Sequence, residues 1–398
     1  MKTSHLVAIM LAASTLLPAS TLFKMPNAHA AESSPDHPQT YLIYVGTFTI
    51  KQSKGIYLMR FDPATGALSQ PELAVEGISP SFLALHPNHR FLYSVNEVDS
   101  LNGQPHGGVS AFSIDPQSGK LTLLNTQPSA GQSPTHLVVD SQGKNALVAN
   151  YTTGAVAVLP IDSQGKLAPP LCVEQHHGKG TDPSRQEGPH AHCISLDPGE
   201  RYALSCDLGL DRILVYHFDA EKGTIVPNDP PFGTVAPDSG PRHLAFHPNG
   251  KVLYVASEMA CTITAFNYDP DHGSMREFQT ISTLPRNFKG EKSVAEVAVH
   301  PSGKFFYASN RGDANSIASF SIDPQTGKLA PIGYTSTQGM APRHFALDPT
   351  GNWLIVANQD TNNVVVFHVD SQTGELKATG TNIEVPTPVC ITFYSPKP

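Results

Sequence analysis

Residues Gly240–Glu258, GPRHLAFHPNGKVLYVASE, hold two short apolar runs joined by a Pro-Asn-Gly turn, with charged residues at the outer ends of both runs. Runs of this length, rich in β-branched and aromatic residues and bounded by turn residues, read as strands. The same pattern returns along the chain. Pro80 opens PSFLALHPNHRFLYSVNE, Pro134 opens PTHLVVDSQGKNALVANY, and Pro189 opens PHAHCISLDPGERYALSCD with one extra residue. Ser293 opens SVAEVAVHPSGKFFYASNRG and Pro342 opens PRHFALDPTGNWLIVANQ. The residue before each turn marks the repeat, at His86, Asp140, Asp197, His247, His300 and Asp348, with steps of 54, 57, 50, 53 and 48 residues. Self-similarity at this period means a solenoid, a propeller or an array.

A second pair of runs follows each copy, as in GGVSAFSIDPQSGKL and NSIASFSIDPQTGKL. This back half occurs seven times, beginning with YLIYVGTFT at Tyr41. The front half occurs six times in full, and Pro388–Tyr394, PVCITFY, supplies a seventh in which Cys390 replaces the His of P-R-H. The Gly of each Asp-Pro-Gln-Ser/Thr-Gly hairpin provides the positive φ that a tight turn needs. Four strands per unit and seven units predict an all-β fold, a seven-bladed β-propeller with four antiparallel strands per blade. The N- and C-terminal strands are expected to pair and close the ring, which removes two open sheet edges. A linear stack leaves the complementary half units unexplained. The propeller is expected to span residues 41–398.

The first 30 residues read as a cleavable export signal. Lys2 precedes an apolar core at Leu6–Leu17, and Ala28-His29-Ala30 is an A-x-A site that places the cut after Ala30. An uncleaved anchor is the competing reading, disfavoured by the short apolar run and by Pro18. A polar spacer, 31–40, follows, and the product is expected in the periplasm or secreted. No later segment approaches the length of a membrane helix.

The formal net charge is −8, and the leader would take Lys2 and Lys24 with it. An acidic surface argues against nucleic acid or an anionic membrane as partner. A small-molecule partner is expected, with the chain acting as a monomer or weak dimer. The five cysteines form no C-x-x-C pair and are too few for a disulfide framework. Cys193, Cys206 and Cys390 lie in apolar strands and read as buried thiols. There is no metalloprotease helix motif, EF-hand loop, P-loop, Rossmann glycine pattern or G-x-S-x-G elbow. Neither a metal nor a cofactor is expected.

In a propeller the first strand of each blade lines the central channel. The turn residues His86, His247 and His300 then lie at its far end as structural groups. The P-x-H positions converge at the mouth: Phe82, His136, His192, His243, Glu296 and His344, with Arg242 and Arg343 preceding two of them. The loop after each second strand is expected near the same rim, contributing Glu97, Asn150, Asp207, Glu258, Arg311 and Gln359. Repeat drift is the bland account of this mixture. Against it, the charged slots vary between copies while the apolar slots persist. Arg242, Arg311 and Arg343 suit carboxylate or phosphate, and Glu258 or His192 could accept a proton from water. Leu171–Gly188, LCVEQHHGKGTDPSRQEG, is a longer polar join with two readings, a surface loop or a lid over the channel.

The units GPHAHCISLDPGERYALSCDLGLDRI, GPRHLAFHPNGKVLYVASE and AEVAVHPSGKFFYASNRG resemble the seven-bladed propeller lactonases, a family that includes cycloisomerase-type 6-phosphogluconolactonases and carboxy-cis,cis-muconate lactonizing enzymes. The resemblance covers nearly all of residues 40 to 395. It implies lactone-ring chemistry without a required metal, at a catalytic set of His192 (or His190), Arg242, Glu258 and Arg311. Arg343 is a second candidate for the last role. His190, His136, His243, Glu296, Arg343 and His344 are the expected substrate-binding residues. An export signal departs from the cytoplasmic setting of phosphogluconate chemistry, so an unphosphorylated sugar lactone or another lactone is an open substrate. A lactonizing cycloisomerase and a non-catalytic binding propeller are the alternative functions.

Overall fold

Second strands of the units such as Phe91–Asn96, Asn145–Asn150 and Trp353–Asn358 are largely apolar runs buried at every residue. Strands covered on both faces belong between stacked sheets. The computed structural model describes residues 40–395, all within the compact unit Pro38–Pro398. The expected leader and cleavage site, and the spacer up to residue 39, lie outside the described residues.

The strands form seven antiparallel sheets. In six of them four strands follow in chain order, as in Pro241–Phe246, Val252–Ser257, Thr262–Asp269 and Ser274–Ser282. The first strands are Leu83–Leu85, Pro134–Val139, Ala191–Leu196, Pro241–Phe246, Lys292–Val299, Pro342–Leu347 and Pro388–Tyr394. Each touches the first strand on either side, so the seven make a closed circle, and they number the blades one to seven. In blade seven, Pro388–Tyr394 pairs with Tyr41–Thr47, which pairs with Gly55–Asp62. The outermost place there is shared by two short strands, Ala67–Leu68 and Glu72–Glu76. The fold is a seven-bladed β-propeller closed by both ends of its chain.

One sequence-based expectation is corrected. The polar join at Leu171–Gly188 contains the fourth strand of blade two, Cys172–Gln175, paired with Ala155–Pro160. Pro169 and Pro170 precede it and its residues alternate between half-buried and exposed, so it lacks the apolar run that marks the other strands.

Seven apolar clusters fill the seven gaps between blades. Polar staples cross the same gaps. Tyr44, Tyr93, Tyr254 and Tyr307 each donate a hydroxyl to the hairpin glycine carbonyl of the next blade, Gly119, Gly165, Gly327 and Gly374, at 2.7–3.0 Å. Tyr202, Asn145 and Trp353 bridge the remaining gaps to Asp271, Ala220 and Pro63 carbonyls. The turn histidines add a second set. In His86, His247 and His300, Nδ1 accepts from a turn amide while Nε2–H donates to Gly143, Gly303 or Gly351 of the next blade. They are structural, as the sequence suggested. All five cysteines are free and four are buried.

Candidate active site

Where the first strand of a blade meets the second, the pairing register jumps. In blade two it passes from Pro134↔Asn150 to His136↔Ala149. Blades three, four and six repeat the jump at Ala191/Cys193, Pro241/His243 and Pro342/His344. The skipped residues are Thr135, His192, Arg242 and Arg343, and a bulge of this kind re-aims a side chain. His192 therefore shares its slot with Arg242 and Arg343, while Cys193 takes the slot of His136 and His243. The extra residue in P-H-A-H hides this register in the sequence.

The bulged side chains meet residues from the ends of the second strands around a cavity of ≈ 180 Å³, lined by Glu97, Thr135, Tyr151, Arg185, His192, Glu258, Arg311 and Arg343. Glu258 is its electrostatic centre. Its Oε2 stands 3.0 Å from Arg242 Nε and 3.0 Å from Arg311, and its Oε1 accepts from Arg185 at 2.9 Å. Burial alone would raise the Glu258 carboxyl, but Arg311, Arg242 and Arg185 outweigh it and hold it down to about 2. Burial, then Arg311 and Arg343, pull Arg242 down to about 9. Arg343 pairs with Glu97 at 3.6 Å and lies 5.1 Å from the Phe48 ring centre. Burial raises the Glu97 carboxyl against the pull of Arg343, and its other oxygen accepts from the Ser81 hydroxyl.

Beneath this cavity is a chamber of only ≈ 10 Å³, walled by Ser81, Arg242, His243, Arg343 and His344 among others. Below lies a floor of rings. Phe82 and His136 meet at 4.1 Å with their planes tilted by 37°, and His136 and His192 both meet the His243 ring edge-on at 5.2 Å. His243 Nδ1–H donates to Glu296 at 3.0 Å, and His344 Nε2 lies 3.4 Å from the same oxygen. Burial lowers His136 to about 3 and His344 to about 4, and puts His192 and His243 well below the usual imidazole range. All four rings are neutral at physiological pH. The Nδ1 of His192 and the Nε2 of His243 are buried without a hydrogen-bond partner among the described residues.

Of the expected catalytic set, His192, Glu258 and Arg311 line the cavity, and Arg242 stands directly behind Glu258. Of the expected substrate-binding set, Arg343 lines the cavity, and His243 and His344 reach only the chamber. His136 and Glu296 line neither. His190 stacks on Tyr151 at 4.7 Å and donates its backbone amide to Asp207, outside the cavity. Asn150, Asp207 and Gln359 do not line the cavity either. The Asn150 amide binds Ser129 O, and Asp207 takes His176 Nδ1 at 2.6 Å. Tyr151 was missed. It follows Asn150 as Glu97 follows Asn96 and Glu258 follows Ser257, and that alignment of the repeats identifies it. Arg185, on the blade-two join, also lines the cavity, and its guanidinium reaches both Tyr151 and Glu258. Among the described residues no group of three or more His, Cys, Asp and Glu is set to hold a metal ion.

The family model described as lactonase, 7-bladed beta-propeller, matches residues 42–393. The chain belongs to the seven-bladed β-propeller lactonases. Within that family, a Bacillus subtilis 6-phosphogluconolactonase is 39% identical over 353 residues, which is 89% of this chain and 98% of the relative. A Formosa agariphila 6-phosphogluconolactonase is 35% identical, over 80% of this chain and 89% of its own length. Among solved lactonase-like structures, a Pseudomonas aeruginosa periplasmic gluconolactonase superposes with a TM-score of 0.85 at 33% identity, covering 90% of this chain and all of that one.

Proposed function

We propose that this propeller lactonase hydrolyses the ring ester of a small sugar lactone bearing negative charge, inside the cavity at the channel mouth. The cavity itself carries the reading. Four guanidinium groups, Arg185, Arg242, Arg311 and Arg343, surround two carboxylates, Glu97 and Glu258, in a chain of net charge −8. The local excess of cations suits a carboxylate or phosphate, which arginine holds through paired N–H donors. The names of the relatives, 6-phosphogluconolactonase and gluconolactonase, support a sugar lactone as substrate.

In this reading His192 is the general base. It is neutral, it stands on the cavity wall, and the arginines around it favour the neutral ring. Water attacks the lactone carbonyl and passes its proton to His192. Negative charge then builds on the former carbonyl oxygen, where Arg311 and Arg343 stabilise it. Collapse of this adduct breaks the ring C–O bond, and the imidazolium returns its proton to the departing alkoxide. The product is the open hydroxy acid. Both oxygens of Glu258 are engaged by arginines, so this carboxylate serves to fix Arg185, Arg242 and Arg311. His136, His243, Glu296 and His344 support the cavity from below, and His190 orients Tyr151.

The test is a lactone panel run beside its spontaneous-hydrolysis control, with a carboxymuconate in the same panel. Acceleration of sugar-lactone opening supports the proposal; acceleration of muconate cyclisation alone, or of nothing, removes it. We also propose action outside the cytoplasm, supported by the leader-like residues 1–30. Cell fractionation with N-terminal sequencing tests this, and a cytoplasmic product retaining Met1 would overturn it.

A further inference from the structure

The cavity does not end at Glu258 and Arg311. Together with Arg185, these residues also line an outer cleft of ≈ 480 Å³ whose far wall is Glu291, Lys292 and Ser293. Lys292 in turn lines a second open groove of ≈ 480 Å³, floored by Leu284, Phe288, Pro331 and Tyr334, with Arg286 at its edge. The groove lies beside the outer strands of blades four and five. Its wall includes the join from Ser282 to Lys292, which, like the join carrying Arg185, runs from an outermost strand to the mouth end of the next innermost strand. Both openings are therefore on the face of the propeller where the cavity opens.

The lining has the chemistry of a sugar site. The Tyr334 ring is 38% exposed, and its orientation is set by a hydroxyl that donates to Leu284 O at 3.0 Å. A fixed aromatic face matches the C–H face of a pyranose, and it costs little conformational entropy to present. Arg286 and Lys292 make no ion pair and no side-chain hydrogen bond among the described residues, so their donors are available to hydroxyl groups. Glu291, in the connecting cleft, offers acceptors. Size points the same way. The inner cavity, at ≈ 180 Å³, is smaller than the roughly 300–1,000 Å³ of ordinary small-molecule pockets, so it holds the reacting ring and little else.

We infer that the groove is a second-sugar subsite, taking the glycosyl unit of a lactone formed at the reducing end of a disaccharide. That unit rests on Tyr334 and Phe288, with Lys292 and Arg286 donating to its rim. The inference deepens the lactonase reading and rests on it. The experiment compares gluconolactone with cellobionolactone, using the full chain and its Tyr334→Ala and Lys292→Gln variants. The wild type is expected to favour the two-ring lactone in kcat/KM by about tenfold, the worth of one good aromatic contact. Tyr334→Ala should erase that preference through KM while gluconolactone kinetics stay unchanged. A wild type indifferent to the second ring, or variants that slow both lactones equally, would overturn the subsite. If neither of these neutral lactones is turned over, a phosphorylated sugar lactone is assayed beside them, and no acceleration of that one either means that the lactonase reading fails instead. Calorimetry with cellobionic acid then decides the groove alone: binding lost in Tyr334→Ala supports it, and no binding to the wild type overturns it.

Discussion

Arg242 Nε stands 3.0 Å from Glu258 Oε2, with both side chains buried, Arg242 in the first strand of blade four and Glu258 just past the end of the second. The pair is sixteen residues apart in sequence, at opposite ends of the P-R-H to S-E repeat, and the bulge at Arg242 brings it together. Glu258 keeps two other arginine partners, Arg185 and Arg311, when Arg242 is removed. Arg242→Ala is therefore expected to fold, and to lose about 100-fold in kcat/KM on a sugar lactone, because Glu258, which Arg242 and Arg311 share, then holds Arg311 less firmly at the developing oxyanion. Thermal unfolding beside steady-state kinetics checks both halves. Full activity in the folded variant would remove Arg242 from the chemistry.

The acid limb of the rate profile reports the base. Burial lowers His192 first, followed by Arg242, His243 and Arg343. The neutral form required of a base is then present throughout physiological pH, and kcat/KM should show no inflection near 6.5. Removing a nearby cation makes protonation easier, so Arg343→Gln should move the acid limb to higher pH while lowering activity. A limb that stays in place in this variant would point to a base other than His192.

How much of this was legible depends on what a repeat preserves. The ring was legible because apolar runs and Gly turns recur seven times, and because the half units at the two ends complement one another. Arg242, Glu258, Arg311 and Arg343 stood out as charges in slots where other copies hold something else. What the sequence hid were single-residue shifts. The bulge decides whether His192 or Cys193 faces the cavity, and one step along the second strand separates structural Asn150 from cavity-lining Tyr151. A side chain changes face with each such step, and no local pattern announces it.

The histidine floor should make the fold acid-labile. Burial, then His243, holds His136 down to about 3, and His344 is held to about 4. Unfolded, these rings titrate near 6.5, so below that pH the unfolded chain binds more protons and stability falls until the folded values are reached. Each such ring contributes a slope of about 1.4 kcal/mol per pH unit. Phe82 fills the equivalent slot in blade one, so His136→Phe replaces one ring by another already used there. Urea unfolding between pH 6.5 and 4.5 should show a shallower slope in this variant, by about one proton. An unchanged slope would mean that His136 is protonated in the folded ring.

The interblade staples predict a separate, purely structural cost. Tyr254 donates to Gly327 O at 2.7 Å across the gap between blades four and five, and both ends are out of water. Tyr254→Phe keeps the ring and strips the donor, leaving a buried carbonyl unpaired at a cost of about 1–3 kcal/mol. The denaturant midpoint should fall with kcat/KM unchanged, since the hairpin lies far from the channel mouth. Loss of activity in the folded protein would show that blade packing is coupled to the cavity.

Arg185 closes the cavity from the only long join that reaches it among the described residues. Its guanidinium is 2.9 Å from Glu258 and 3.3 Å from the Tyr151 hydroxyl, yet its side chain is 42% exposed. An ion pair this open adds little to folding, about 0–1 kcal/mol. Facing a bound anion with solvent largely displaced, the same group has more to offer. Arg185→Ala should therefore leave the unfolding midpoint near that of the wild type and raise KM for an anionic lactone by about tenfold, with a smaller change in kcat. The effect should shrink for a neutral lactone and at high salt, because screening weakens the wild-type contact. If KM rises equally for neutral and anionic lactones, Arg185 shapes the cavity without reading the charge of what enters it.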